Sequence, residues 1–383
     1  VAALKIAVVH TFFDEAGGGE RLALELVRAL RELGNKTDLF TSHVDRKAWE
    51  VLTSGLEDPP TPIAFGEPPL SRALRGTGRL VRLGRLYTIT HLAGRVRRLL
   101  RDYDLVIETQ TNVPVPWADA SYIHFPAIVG YMASQGRAGT LRRLYDWLVA
   151  REARKLMYTT KPIMTNSKWT AGRICEVHGS SRVYVVHPPV NVEELSSVGG
   201  ERDRGKLVLT VSRMSPKKGL TAIAEVARLV PEAEFYLVGS TSAYSGPVLR
   251  AIEERARRLR NFHFETDVPR KRIIELMSQA SIYLHPPYAE HFGIAIAEAA
   301  AAGLVPVVYR DGGGWTDIVS RIDQGLGYTS IEEAAHIVRS LLNDPGRLKE
   351  LSAKAREVAK GFSYETFKGR LEEVIKDIMA GPQ

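Results

Sequence analysis

Two glutamates in a short run carry the clearest chemical signal. Glu290 and Glu298 lie in Pro286-Pro287-Tyr288-Ala289-Glu290-His291-Phe292-Gly293-Ile294-Ala295-Ile296-Ala297-Glu298, separated by seven residues. Gly293 marks the expected start of a helix, so Glu290 precedes it and Glu298 sits within it among alanines. A carboxylate in so apolar a helix is costly to bury without hydrogen-bond donors. Sugar or ribose hydroxyls are suitable donors, and the free amides of Phe292, Gly293 and Ile294 at the helix start suit a phosphate. The plainer alternative leaves Glu298 in solvent on an alanine-rich face.

Other runs have ligand-binding character. Arg213 and Lys218 lie five apart in Ser212-Arg213-Met214-Ser215-Pro216-Lys217-Lys218-Gly219, which leaves a strand-like segment. Arginine can fork and lysine acts as a point charge, so two fixed cations there suit a diphosphate. Their plain reading is a solvated basic loop. Gly17, Gly18 and Gly19 fall between the first strand and the first helix, where a backbone can approach an anion or simply turn. They form neither a dinucleotide fingerprint nor a P-loop. His124, in His124-Phe125-Pro126, ends another strand-like run and is read either as a site residue or as a hydrogen-bonded structural histidine. Arg310-Asp311-Gly312-Gly313-Gly314-Trp315-Thr316-Asp317 is a further Gly-rich loop after a strand.

The elements that position these residues alternate. Leu4–His10, Leu105–Glu108, Ala120–His124, Pro162–Asn166 and Tyr184–His187 read as strands, with an amphipathic helix over Glu20–Leu33 stopping at Gly34. Ser167 precedes a helical stretch and can cap it. A second series follows: Leu207–Val211, Glu234–Val238, His263–Glu265, Ser281–His285 and Val305–Tyr309. Strands alternating with helices predict parallel sheets. The turn-rich Pro188–Lys206 reads as a linker between two α/β modules, and a final helix is expected from Tyr364.

Composition narrows the class. The 383 residues suggest two or three domains, and 44% hydrophobic with 25% charged residues excludes global disorder. Cys175 is the sole cysteine, so neither an internal disulfide nor a cysteine-based zinc site is available. No apolar run reaches the roughly 20 residues of a membrane span, so any membrane contact is expected to be peripheral. The net charge is +8, and most of the excess lies before residue 200. The stretch Arg72–Arg101 holds Arg72, Arg75, Arg79, Arg82 and Arg85 with four further arginines and no acid. Interleaved with leucine, valine and isoleucine, it suits an anionic membrane surface or a lipid diphosphate, or else is a solvated helix face. No nucleic-acid recognition motif accompanies it.

Together these motifs resemble the retaining GT-B glycosyltransferases of family four. Within that family the blocks AGGGER, HFP, TNSKWT, HPPVNV, EHFGIAIAE and GGGWTDIV are similar to those of the α-1,2-mannosyltransferases that extend the dolichol-diphosphate-linked oligosaccharide of N-glycosylation. The resemblance implies an α/β, GT-B fold of two Rossmann-like doubly wound domains facing across a cleft. Residues 1–195 would form the acceptor domain, with a C-terminal helix 364–383 crossing back onto it, and 196–363 the donor domain. Arg213 and Lys218 would hold the donor diphosphate, Glu298 the ribose and Glu290 the sugar hydroxyls. His291 and the amides of Phe292, Gly293 and Ile294 would complete the donor site, with Val268 against the base. His124 would sit beside the anomeric centre, and Gly17, Gly18 and Gly19 would close on phosphate. The implied donor is a nucleotide sugar, GDP-mannose, with no cofactor and no metal. The implied acceptor is a polyprenyl- or dolichyl-diphosphate glycan or a glycolipid at the cytoplasmic face of a membrane, with peripheral attachment and no nucleic acid. Other readings are a family-four enzyme of cell-surface polysaccharide using a UDP-sugar and, more remotely, a glycoside hydrolase using Glu290 and Glu298 as its acid pair.

Overall fold

The computed structural model describes residues 3–56, 58–66, 73, 98–126, 147, 159–179, 182–198, 205–242 and 245–381. The arginines read as a membrane patch, Arg72, Arg75, Arg79, Arg82 and Arg85, lie outside the described residues. The chain forms two compact units. One comprises Val1–Asn166, Thr170–His187 and Lys368–Gln383, the other Ser167–Trp169 and Pro188–Phe367.

The strands of the first unit are β1 (Lys5–Val9), β2 (Phe12–Phe13), β3 (Lys36–Thr41), β4 (His43–Val44), β5 (Ile63–Ala64), β6 (Leu105–Glu108), β7 (Ala120–Ile123), β8 (Ile163–Thr165) and β9 (Val183–Val185). Seven of them form a parallel sheet in the order β5-β3-β1-β6-β7-β8-β9, and β2 pairs with β4. Ile6–Val9 and Leu105–Glu108 are buried throughout, as expected for strands covered on both faces. The helix Gly18–Glu32 buries Leu22, Leu26, Val27 and Leu30 along one face. Each such side chain contributes roughly 1.5–3 kcal/mol of burial.

The second unit contains β10 (Leu207–Val211), β11 (Glu234–Gly239), β12 (Phe262–Thr266), β13 (Ile282–Leu284), β14 (Val305–Tyr309) and β15 (Gly327–Tyr328). They form a parallel sheet in the order β12-β11-β10-β13-β14-β15, the doubly wound arrangement of a dinucleotide-binding fold. The strand order reverses between β10 and β13. In the first unit it reverses between β1 and β6. Open sheets of this kind bind ligands outside the carboxyl ends of the strands flanking that reversal.

One expectation changes. The segment Pro188–Val198 is not linker: Val190, Leu195 and Val198 are buried in the core of the second unit, and Val192–Ser196 is a helical turn. The second unit therefore starts at Pro188 rather than at residue 196. The start of the helix Lys168–His178 is also met by Asp317, whose Oδ1 accepts the Lys168 amide at 2.8 Å, and the Ser167 hydroxyl donates to the His291 carbonyl.

Candidate functional site

In the second unit the loop after β10 carries Arg213 and Lys218, and the loop after β13 carries His285, Tyr288 and Glu290. Because β10 pairs with β13, these loops emerge side by side at the reversal point. Thr210 Oγ1 donates to the Leu284 carbonyl and Tyr283 Oη to the Val211 carbonyl, which locks the two strand ends together. Lys218 forms an ion pair with Glu290 Oε2, with side chains 13% and 22% exposed, and its ammonium lies 4.1 Å from the Tyr288 ring centre. Arg213 is exposed on the same loop, and its positive field reaches Tyr288. The structure thus brings Lys218, Glu290 and Tyr288 into contact, with Arg213 nearby. In this state Lys218 is engaged by Glu290.

The electrostatics follow from burial. Desolvation would raise the Glu290 carboxyl, but Lys218 and then His285 outweigh it and hold it at about 2. Burial lowers His285 to about 4 and His291 to about 4, so both rings are neutral at pH 7. His285 Nε2 stands 3.7 Å from Glu290 Oε2, beyond hydrogen-bond reach.

The helix Ile294–Ala301 begins directly after Glu290, with Gly293 as its N-cap. The amides of Gly293 and Ile294 lie in its first turn, where the helix supplies no carbonyl for them and an anion is favoured. Phe292 turns inward: its ring packs edge-on against Phe362 at 5.2 Å and is buried. Of this residue, only the backbone is placed for a ligand. The His291 ring lies nearly parallel to Trp169 at 6.0 Å.

Glu298 is buried on the inner side of that helix, at 9% exposure, rather than displayed to solvent. Its Oε1 accepts from Arg270 Nη1 at 2.8 Å, and Arg270 Nη2 reaches Glu194 Oε2 at 3.2 Å. Val268 lies two residues before Arg270, half-buried on the unit's core. Arg270 was not singled out by sequence reading. Its signal is a helix that begins Arg-Lys-Arg with no acid in the first turn, against the preference of the helix dipole.

The loop Gly312–Gly314 props up Glu290. Gly313 N donates to the Glu290 carbonyl at 2.7 Å, and Glu290 and Gly312 form a parallel bridge.

In the first unit, the structure joins two sequence candidates. A Cβ added at Gly19 would lie 3.3 Å from His124 Nε2, so this glycine gives the ring its room. Gly17 is the N-cap, and Gly18 and Gly19 form the first turn of the helix Gly18–Glu32. His124 Nε2 lies 3.2 Å from the Thr109 carbonyl, which can only accept, so Nε2 carries the proton. Asn112, with φ +58°, accepts the His124 amide through Oδ1 at 2.9 Å. His10 Nδ1 and Thr109 Oγ1 are 2.9 Å apart. Glu108 is buried at the end of β6. Burial pushes its carboxyl up to about 7 against the pull of donors from Thr111 and Gln110. The loop Glu108–Asn112 had no motif to mark it.

The family described as Glycosyltransferase Family 4 matches residues 16–194, and that described as Glycosyl transferases group 1 matches residues 191–358. A relative from Dictyostelium discoideum, "GDP-Man:Man(3)GlcNAc(2)-PP-Dol alpha-1,2-mannosyltransferase", is 25% identical over 68% of this chain and 59% of its own. The chain therefore spans less than two thirds of that relative's length. The Neurospora crassa "Alpha-1,3/1,6-mannosyltransferase alg-2" is 27% identical over 95% of this chain and 89% of its own. Among solved structures, Anabaena Alr3699/HepE in complex with UDP superposes with a TM-score of 0.71 at 16% identity, covering 98% of this chain and 100% of that one. Two family models, one over each half of the chain, together match residues 16–358, and the two doubly wound units have the GT-B fold of the glycosyltransferases they describe.

Proposed function

We propose that this protein transfers a mannosyl unit from GDP-mannose to a hydroxyl of a polyprenyl- or dolichyl-diphosphate glycan, with retention of anomeric configuration. The observation that carries the reading is the contact of Lys218 with Glu290 beside the first turn of the helix Ile294–Ala301, at the strand-order reversal of the second unit. The names of the mannosyltransferase relatives support the sugar, the base and the acceptor class.

The chemistry breaks the bond from the anomeric carbon to the β-phosphate oxygen and forms one to the acceptor oxygen on the same face. The acceptor proton passes to the departing phosphate. Negative charge grows on the diphosphate, and fixed donors lower that barrier most where water is excluded. Arg213, Lys218 and the Gly293 and Ile294 amides supply such donors without a metal ion. Glu290, ionised at neutral pH, accepts from sugar hydroxyls once the diphosphate competes for Lys218. A carboxyl held at about 2 is a poor general acid, so in the hydrolase reading that role would fall to Glu298, whose Oε1 Arg270 already occupies. In the first unit, His124 with its Nε2 proton and Gly17–Gly19 are proposed as further contacts to the donor.

The test incubates purified protein with radiolabelled GDP-mannose, UDP-glucose and UDP-N-acetylglucosamine and a polyprenyl-diphosphate glycan, with and without chelator. The expected product gains one mannose in the α configuration from GDP-mannose, and chelator has no effect. Arg213→Ala, Lys218→Ala and Glu290→Ala should each lose at least about a hundredfold, roughly 3 kcal/mol of transition-state stabilisation. Wild-type turnover in those folded variants, or transfer from a UDP-sugar alone, would overturn the reading. Acceptor presented in anionic and in neutral vesicles tests the proposed peripheral attachment through the basic stretch, with equal rates counting against it.

A further inference from the structure

Arg270 occupies a position that local preference disfavours. It is the first residue of the helix Arg270–Gln279, whose opening residues Arg270, Lys271 and Arg272 all carry positive charge where the helix dipole favours negative. Arg272 is answered locally by Glu265, through two bonds of 3.0 and 2.7 Å. Arg270 has no such neighbour. Its fork divides between Glu298, from the helix after β13, and Glu194, from the helical turn that opens the second unit. A conflict between local preference and the observed residue is most often found at functional sites.

The geometry around Glu298 gives the conflict a purpose. Oε1 is held by Arg270, while Oε2 has no hydrogen-bond partner among the described residues. The side chain is 11% exposed, so this oxygen is desolvated but still reachable. A carboxylate has about four acceptor sites, so one clamped oxygen leaves room for a vicinal diol to donate two hydrogen bonds. Desolvation would lower the Arg270 guanidinium, but Glu298 and Glu194 raise it, so the clamp stays charged at every accessible pH. Val268, two residues upstream, lies on the loop to which the base is assigned. Arg270 thus links the base loop to the carboxylate of the helix Ile294–Ala301.

We propose that Arg270 is a positioning residue that fixes Glu298 for the two ribose hydroxyls of the donor and thereby makes the site selective for ribonucleotides over their deoxy forms. This rests on the proposed function, because it takes the donor to be a nucleoside diphosphate sugar. Losing a partnered hydroxyl at such a site leaves a buried acceptor unpaired, which is why hydroxyl recognition discriminates strongly.

The test is calorimetric. Dissociation constants of GDP, 2′,3′-dideoxy-GDP and inorganic pyrophosphate are measured for the wild type, Arg270→Met, Arg270→Lys and Glu298→Gln, with folding checked by thermal melting. The wild type should prefer GDP over the dideoxy form by about tenfold or more. Arg270→Met and Glu298→Gln should bring that ratio near one and leave pyrophosphate binding within about twofold, while Arg270→Lys recovers part of the ratio. A tenfold preference that survives in Arg270→Met overturns the proposal. So does a parallel loss of pyrophosphate binding in both Arg270 variants, which would make Arg270 a fold residue. A wild type that binds GDP without preference sinks this inference alone, whereas one that binds neither GDP nor pyrophosphate sinks the proposed function.

Discussion

Lys218 and Glu290 cancel each other's charge where the donor diphosphate is proposed to bind. Replacing Lys218 by Met leaves Glu290 facing buried surroundings without its nearest cation, a change of the kind that costs about 3–5 kcal/mol when ion pairs are buried. These side chains are partly accessible, so the lower end of that range applies. The pH dependence has a definite sign. Glu290 titrates near 2 in the folded chain, below its ordinary 4.5, so its contribution is complete above about pH 4.5 and is lost as pH falls through 2. His285 and His291 act in a separate window. Burial lowers both to about 4, so between pH 6.5 and 4 the unfolded chain binds protons that the native chain does not, and stability falls with pH there. In Lys218→Met the Glu290 carboxyl titrates at higher pH, which moves the acid limb up. His285 is also freed from the repulsion of Lys218, which shifts it upward and softens the fall between 6.5 and 4. Urea unfolding of both proteins from pH 7 to 2 measures this, and superimposable acid limbs would refute the coupling.

Among elements, legibility followed burial. β10 and β14 matched the predicted strands end to end because Leu207–Val211 and Val305–Tyr309 are short, mostly apolar runs buried through their centres. β3, Lys36–Thr41, was not foreseen. Its Lys36, Thr37 and Asp38 look like loop until Tyr103 Oη is found donating to Asp38 at 2.6 Å. The helical turn Val192–Ser196 hid in a turn-rich stretch, since five residues are too few to show a helical period. At the site, Arg213, Lys218, Glu290 and Glu298 stood out by residue type and by their place after strands. Arg270 did not, because its partners Glu194 and Glu298 come from elements far away in the chain. The Gly-rich loop before Trp315 was visible as a loop of ligand-binding character, and what the structure adds is its seat against the main chain of Glu290 and His291. A Cβ at Gly313 would lie 2.0 Å from the His291 carbonyl oxygen and 2.8 Å from Ser167 Cβ. Neither the backbone nor a short side chain can swing aside. Gly313→Ala should therefore destabilise the second unit by about 3 kcal/mol, the upper end for overpacking. It should also weaken GDP binding in the surviving fold, as read by chemical denaturation and calorimetry. A variant with native stability and affinity would show that the loop yields more easily than its contacts imply.

At the scale of the whole molecule, the two units have separate cores joined by chain, and the last helix belongs to both. Tyr364–Phe367 count with the second unit, and from Lys368 onward the helix packs in the first. There Leu371, Val374, Ile375 and Ile378 are buried. Lys368 Nζ reaches Glu32 at 3.1 Å, Arg370 Nε reaches the Val185 carbonyl at 3.2 Å, and the Asp377 carboxylate accepts from Tyr184. The first sheet therefore has its edge strand β9 covered by residues far away in sequence, and that unit is complete only when the C-terminus has arrived. Leu371→Ala removes a fully buried side chain from this contact, a truncation that costs about 2–5 kcal/mol. The loss should be local to one unit. Hydrogen exchange is expected to accelerate in β1, β6 and β9, while β10, β13 and β14 keep their protection, because their core is formed by residues between Val190 and Phe362. Equal acceleration in both sheets would mean that the units unfold as one, and the division of the chain into separate cores would have no thermodynamic counterpart.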